Sequence, residues 1–103
     1  MLTAKQRAFL RSQASAIDTI LQIGKGGVTE AVITQTTDAL KARELIKGRV
    51  LENSLLTARE ACDALCEACK ADGVQTIGNV FVIYKRNEKN PKIELPKAKK
   101  TKA

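Results

Sequence analysis

Residues 17–29, with the sequence IDTILQIGKGGVT, join a short β-branched segment to a glycine-rich turn and the start of a helix. Residues 17–23 are mostly apolar and β-branched, and this composition over a short run predicts a strand. The Gly-Lys-Gly-Gly sequence of residues 24–27 predicts a turn. Thr29 then provides an N-cap for a helix that extends to about Arg43. A strand, a tight turn and a helix in this order form the first part of a β-α-β unit.

The flanking segments predict two more helices and three more strands. Residues 3–6 and 57–60 each place threonine three positions before glutamine or glutamate, which is the capping-box pattern of a helix start. The first helix is expected to end near residue 15, and the third with Gly73 as a left-handed C-cap. The remaining strands are expected at residues 44–51, 74–77 and 80–84.

The predicted order of elements is α-β-α-β-α-β-β. The alternation of strand and helix implies right-handed crossovers between parallel strands, and the final hairpin adds an antiparallel edge. We therefore expect an α/β domain of the α+β two-layer kind, with a four-stranded mixed sheet, in residues 1–87. Residues 88–103 place two prolines among lysines and predict a flexible basic tail.

Positive charge is concentrated at the end of the chain. Residues 1–84 hold ten basic and nine acidic side chains, whereas residues 85–103 hold eight basic and two acidic ones, within a net charge of +7. Such a tail raises the affinity for a polyanion without specifying which one. Three cysteines within eight residues, no apolar run of membrane-spanning length and no signal-peptide pattern predict a cytoplasmic protein that does not bind membranes.

The glycine loop, residues 24–27, is the candidate functional segment. Glycines let a ligand approach the backbone, the next helix begins with unpaired amides, and Lys25 adds a positive charge, so together they predict a phosphate site. The Walker sequence is absent, and Thr29 stands where the dinucleotide fingerprint needs a third glycine. The remaining Gly-x-x-Gly pattern clamps a nucleic-acid backbone in KH domains. A tight turn without a ligand is the alternative.

The first helix carries a second basic group on the side away from its apolar face, formed by Lys5, Arg7 and Arg11. Arg7 and Arg11 are four residues apart, and like charges at this spacing cost a helix about 0.2–0.5 kcal/mol. A bound polyanion would offset this repulsion, although a solvated helix face is an equally simple interpretation. With two phenylalanines and one tyrosine in the chain, recognition of a nucleic-acid backbone and shape is expected rather than base stacking on aromatic rings.

The composition does not favour catalysis or metal binding. The chain has no histidine, which removes the commonest general base and a common zinc ligand. Cys62, Cys66 and Cys69 lie along one side of the third helix, but a structural zinc site needs four ligands. We therefore expect core packing for these cysteines, with Cys66 partly buried. The chain is expected to be no enzyme and to use no cofactor or metal.

Four separated segments resemble the CRM domain in its stand-alone bacterial YhbY-type form. The segments are LTAKQR at residues 2–7, QIGKGGVT at residues 22–29, ARELIK at residues 42–47 and QTIGNVFVIYKR at residues 75–86. The resemblance extends over about residues 2–87 in the order of the family.

This resemblance implies a fold like the C-terminal domain of translation initiation factor three. It also implies an RNA-binding protein that associates with precursors of the large ribosomal subunit. We expect the protein to be a monomer, to contact structured ribosomal RNA in these precursors and to assist their assembly. A protein-interaction module that docks a ribosomal protein or assembly factor, with incidental RNA contact, stays open as the alternative. The expected RNA-binding residues are Gly24, Lys25, Gly26, Gly27, Thr29, Lys5, Arg7, Arg11 and Lys47.

Overall fold

A computed structural model describes residues 3–86 of the chain. The expected tail at residues 88–103 lies outside the described residues. No helix in the described part is both long and apolar enough to cross a membrane. The elements follow the expected order: α1 (Ala4–Ala14), β1 (Thr19–Ile23), α2 (Glu30–Arg43), β2 (Leu45–Val50), α3 (Ala58–Cys69), β3 (Asp72–Ile77) and β4 (Val80–Tyr84).

The four strands form one mixed sheet in the order β1-β2-β4-β3. β1 and β2 are parallel, and β4 is antiparallel to both of its neighbours, β2 and β3. β1, β2 and β3 therefore run in the same direction, and their carboxyl ends lie together at what we call the carboxyl end of the sheet. The glycine loop, the connection formed by residues 51–57 and the turn at residues 78–79 all lie there.

Backbone hydrogen bonds join these connections to one another. The Leu51 amide donates to the carbonyl oxygen of Ile23 at 2.8 Å, directly before the glycine loop. The Val50 amide donates to the carbonyl oxygen of Asn79 at 2.7 Å, in the hairpin turn. The carboxyl end is thus a continuous surface built from three separate parts of the chain.

Helices cover both faces of the sheet. α2 and α3 pack on one face over a larger core that includes Leu21, Leu40, Leu65 and Phe81. α1 packs on the opposite face. The smaller core beneath it contains Leu10, Ala14, Leu45, Val74, Val82 and Tyr84.

The α/β class and the four-stranded mixed sheet are confirmed, but the two-layer arrangement is wrong. Side chains of a strand alternate between faces, so the neighbouring residues Leu45 and Ile46 enter different cores. β4 is apolar on both faces, with Phe81 and Ile83 in the larger core and Val82 and Tyr84 in the smaller one, and both faces therefore need a covering layer. α1 supplies the third layer.

Each helix begins where the sequence predicts, at a threonine N-cap. Thr3, Thr29 and Thr57 each accept a hydrogen bond from a backbone amide of the first turn. The reciprocal bonds of a capping box are present at residues 3–6 and 57–60. Such caps typically stabilise a helix by about 1 kcal/mol.

The expected C-cap of α3 is wrong. α3 ends at Cys69, and Lys70 rather than Gly73 adopts the left-handed conformation, with φ 57° and ψ 47°. Gly73 lies within β3, which starts at Asp72. A Cβ at Gly73 would lie 3.3 Å from the Cys62 sulfur. The glycine therefore serves the close approach of β3 to α3 and does not end the helix.

Two other strand boundaries also differ from expectation. β1 begins at Thr19 rather than residue 17. β2 begins at Leu45 because Glu44, with φ 64°, caps the end of α2 and donates its amide to the carbonyl of Leu40. A cap formed by a buried glutamate in this conformation has no local sequence signature.

Candidate functional site

The glycine loop forms a tight turn at the end of β1. The Gly27 amide donates to the carbonyl oxygen of Gly24 at 3.0 Å, which closes the turn. Gly27 has φ +70°, a conformation that side-chain-bearing residues rarely adopt. Lys25 lies at the apex and is exposed. The loop therefore presents Gly26 and the side chain of Lys25 to solvent.

The protein itself does not require glycine at two positions of this loop. A Cβ added to Gly24 would lie 3.8 Å from its nearest neighbours, and one added to Gly26 would lie 3.5 Å from Thr29 Cγ2. Both are ordinary van der Waals distances, and neither residue has a positive φ. The positive φ explains glycine at position 27, whereas neither packing nor backbone conformation gives an internal reason for Gly24 and Gly26.

The start of α2 contributes less positive potential to the loop than the sequence suggests. The Thr29 hydroxyl already accepts from the Val32 amide at 3.2 Å. Glu30 occupies the first turn, where a carboxylate interacts favourably with the positive end of the helix dipole. Lys25 is therefore the main positive charge at this position.

The connection formed by residues 51–57 supports the glycine loop from one side. Leu51 and Asn53 flank Gly24, and Leu56 lies against Gly27. Within this connection Leu55 is 93 % exposed. The glycine loop thus rests on a neighbouring connection, while Lys25 and Gly26 stay exposed.

β2 places two basic side chains next to the loop, on the face of the sheet that α1 covers in part. Lys47 and Arg49 are two residues apart and therefore lie on the same face, about 7 Å apart along the strand. Arg49 pairs with Gln22 of β1 on one side and with Val80 of β4 on the other. Gln22 is separated from the glycine loop by a single residue, so Arg49 lies between Lys47 and the loop.

Sequence reasoning missed Arg49. Its exposure and position follow from the register of β2. The available signal was the spacing of two basic residues at i and i+2 in a predicted strand, which puts both on one face.

The three predicted basic residues of α1 lie in different surroundings. Arg11 lies with Lys47 along a groove between α1 and the sheet. Arg7 points to the start of β3, where its Nε donates to the carbonyl oxygen of Gly73 at 3.3 Å. Lys5 is exposed in the first turn of the helix. Arg7 therefore has a structural contact that competes with binding of an external ligand.

Lys47 also has a contact within the protein. Its Nζ donates to the carbonyl oxygen of Ile17 at 3.4 Å, and its side chain is partly buried. By contrast, Lys25, Arg11 and Arg49 form no side-chain hydrogen bond or ion pair with any residue in the described range 3–86. The structure thus brings Arg11, Lys47 and Arg49 to one face of the sheet. Lys25 lies at the adjacent end of that face.

The cysteines of α3 belong to the core, as expected. Cys62 and Cys69 are buried and Cys66 is partly buried. The sulfurs of Cys62 and Cys66 are 4.0 Å apart, and this contact, together with burial, raises the pKa of the Cys66 thiol. Among residues 3–86 no group of three metal-binding side chains comes together. The raised pKa keeps the Cys66 thiol protonated at neutral pH, which makes it a poor nucleophile.

The fold and this surface define a class: a small α/β domain whose sheet carries a glycine loop and basic side chains at the carboxyl end. The model of the CRS1 / YhbY (CRM) domain matches residues 2–85 of the chain. The protein belongs to this family, and the resemblance inferred from the four sequence segments is confirmed.

Relatives of known sequence cover almost the whole chain. A Bacillus subtilis protein named probable RNA-binding protein YqeI is 48 % identical over 96 residues, which is 93 % of this chain and 100 % of that protein. A Haemophilus influenzae protein named RNA-binding protein is 35 % identical over 96 residues, covering 93 % of this chain and 96 % of that protein.

A solved structure shares the fold. The solution structure of a hypothetical protein from Staphylococcus aureus, described as a candidate RNA-binding protein, superposes with a TM-score of 0.78. It is 49 % identical and covers 93 % of this chain and 100 % of that one.

Proposed function

We propose that this protein binds structured ribosomal RNA in precursors of the large ribosomal subunit and assists their assembly. Membership of the CRS1/YhbY (CRM) family and the RNA-binding names of its relatives support binding of RNA. The assembly role is the expectation drawn from the resemblance of the sequence to the YhbY type. The positive charge of the exposed sheet face supports contact with RNA phosphates.

The observation that carries the proposal is the presence of glycine at positions 24 and 26, where the protein has room for a side chain. A phosphate that contacts the backbone amides of a loop needs the space that a Cβ would occupy. Glycines without an internal reason, next to an exposed lysine, therefore favour a phosphate ligand over an empty turn.

The basic side chains extend this phosphate site across the sheet. Lys25, Arg49 and Lys47 follow one another along the face from the loop towards α1, and Arg11 continues the series. Arginine and lysine that contact phosphates position a nucleic acid without reading its sequence. This arrangement suits recognition of a folded RNA by its backbone.

The direct test is the affinity of a folded fragment of large-subunit ribosomal RNA for the protein with Lys25→Glu and Gly26→Asp combined. We expect a loss of at least tenfold, because two carboxylates replace a cation and a close backbone contact. A matched control combines Lys70→Glu with Ala68→Asp, which changes the net charge equally at the far end of α3. Equal losses of RNA affinity in both double variants would show that the net charge, and not a specific site at the glycine loop, determines binding.

The assembly role needs a test in lysate. We expect tagged wild-type protein to sediment in sucrose gradients at low magnesium with large-subunit particles or their precursors, and the loop double variant to stay at the top. If the loop variant remains on particles at high salt, a docked protein rather than RNA holds it there, and the alternative of a protein-interaction module is correct.

The same proposal places the protein in the cytoplasm, where ribosomal precursors are assembled in bacteria. The free thiols of Cys62, Cys66 and Cys69 are compatible with a reducing compartment.

A further inference from the structure

A groove opens where α1 leaves part of the sheet uncovered. Its volume is about 490 Å³, within the range of about 300–1,000 Å³ that is typical of small-molecule pockets. The floor is formed by Val80 and Val82 of β4 and by Ile77 of β3, and the rim includes Arg11 and Lys47. The groove lies on the same sheet face as Arg49.

The floor of the groove is apolar and partly exposed to solvent. Val82 is buried beneath α1, whereas Ile77 is 63 % exposed. Ile77 and Leu55 are the exposed large apolar side chains among residues 3–86. Ile77 pairs with Val80 across β3 and β4, so the two side chains form one apolar strip. Covering this strip with a flat apolar group removes apolar surface from water and therefore lowers the free energy.

The rim of the groove is positively charged. Arg11 and Lys47 line it, and no aspartate or glutamate is among its lining residues. Gln75 also lines it, and its amide offers both a hydrogen-bond donor and an acceptor. An apolar floor, a polar amide and a cationic rim together complement a ligand with a flat ring, hydrogen-bonding edges and an adjacent anion.

We propose that this groove holds an unpaired nucleobase of the bound RNA. The base covers Ile77 and Val80, its edge bonds to Gln75, and the phosphates on either side contact Arg11 and Arg49. This inference rests on the proposed function and deepens it, because it adds a site for unpaired nucleotides to a surface that otherwise contacts only the backbone.

The charge of the groove argues against the most available alternative occupant. Residues 85–103 hold eight basic side chains and two acidic ones, so a cationic rim repels this segment. A nucleic acid brings the opposite charge. The aromatic residues Phe81 and Tyr84 are buried, so the base packs on aliphatic side chains, and we expect a preference of about threefold to tenfold rather than the larger effect of aromatic stacking.

The test compares two probes with identical phosphates: an RNA octamer of uridine, and a ribose-phosphate octamer without bases. We expect wild-type protein to bind the uridine octamer about threefold to tenfold more tightly. Ile77→Thr, which keeps a β-branched side chain but makes the strip polar, should reduce this ratio to about one and leave the affinity for the baseless octamer unchanged. Ile77→Val should retain the ratio.

A control variant on the same strand distinguishes loss of the apolar strip in the groove from a general disruption of β3. Thr76 is exposed, neighbours Ile77 and lies on the opposite face of β3, so Thr76→Ala should retain the ratio. Equal affinity of the wild type for both octamers would contradict the proposed binding of a base in the groove, but it would not contradict RNA binding itself. If neither octamer nor a folded ribosomal RNA fragment binds, the proposed function itself fails.

Discussion

Gly48 lies directly opposite Phe81 in the sheet, and the ring of Phe81 fills the space where a side chain of residue 48 would stand. The two residues are paired partners of β2 and β4. A Cβ at Gly48 would lie 2.7 Å from Cε1 and 2.9 Å from Cε2 of the ring, closer than real Cβ contacts. Phe81 is fully buried in the larger core, so the ring can move only by displacing the side chains packed around it.

Gly48→Ala should therefore destabilise the protein, although alanine usually favours a strand more than glycine does. Overpacking of a filled core typically costs about 1–3 kcal/mol, and we expect a loss in this range. Urea denaturation followed by circular dichroism measures it. The double variant with Phe81→Leu should show a coupling energy that offsets part of the loss, since leucine vacates the ring position. Additive losses would mean that the Cβ does not meet the ring.

The two neighbouring glycines of the loop should respond in opposite ways to alanine. Gly27 has φ +70°, and an L-residue in a left-handed conformation costs roughly 1–2 kcal/mol. Gly27→Ala should lower stability by this amount, and Gly27→Asn by less. Gly26→Ala has room and no positive φ, so its stability should match the wild type while its affinity for the RNA fragment falls by about tenfold. An unchanged RNA affinity of Gly26→Ala would contradict the proposed close contact between a phosphate and the loop.

Arg49→Gln should reduce the salt dependence of RNA binding. Each lost phosphate contact lowers the slope of log affinity against log salt by about 0.7–0.9 units. Lys70→Gln is the matched control, since Lys70 caps α3 at the opposite end of the sheet, and its slope should equal that of the wild type. Affinity measured by fluorescence anisotropy between about 50 and 200 mM salt, where phosphate contacts change the affinity strongly, gives both slopes. A slope change of equal size in both variants would mean that the RNA contacts no defined face.

Local signals account for the parts of the fold that were predicted correctly. The threonine caps at residues 3, 29 and 57 accept hydrogen bonds from amides in the first turn of their own helices. The start of each helix is therefore predictable from three or four neighbouring residues. Lys70 illustrates the opposite case. It adopts the left-handed conformation at the end of α3, where the Ala71 amide donates to the carbonyl oxygen of Cys66 at 2.9 Å, although the local sequence favours Gly73 for that role.

The candidate site was predictable to the extent that its residues are neighbours in sequence. The glycine loop is contiguous, and its place between β1 and α2 follows from the strand and cap signals beside it. Arg49 depends on the register between three strands, and the groove depends on α1 crossing the second face of the sheet. Both arise from contacts between distant segments. The RNA-binding roles of the individual residues remain predictions.

Tyr84 lies in the smaller core, and its hydroxyl has no hydrogen-bond partner within residues 3–86. Burial raises the pKa of this hydroxyl above its ordinary value of about 10, and the nearby carboxylate of Glu44 adds to the shift. Both causes disfavour the phenolate, which would be a buried charge next to a like charge. The folded state therefore holds the Tyr84 proton more tightly than the unfolded state does.

This difference makes stability depend on pH above about 10, the ordinary pKa of tyrosine. Stability should be fully present below that pH, because tyrosine is then protonated in both states. It should fall as the pH rises towards the folded-state pKa, because only the unfolded state releases the proton. Urea denaturation between pH 8 and 11 should show a steeper decline for the wild type than for Tyr84→Phe, which keeps the ring and loses the titration. Since Tyr84 is the single tyrosine of the chain, its ultraviolet absorbance on titration reports the pKa directly, and an ordinary value would contradict the burial of its hydroxyl.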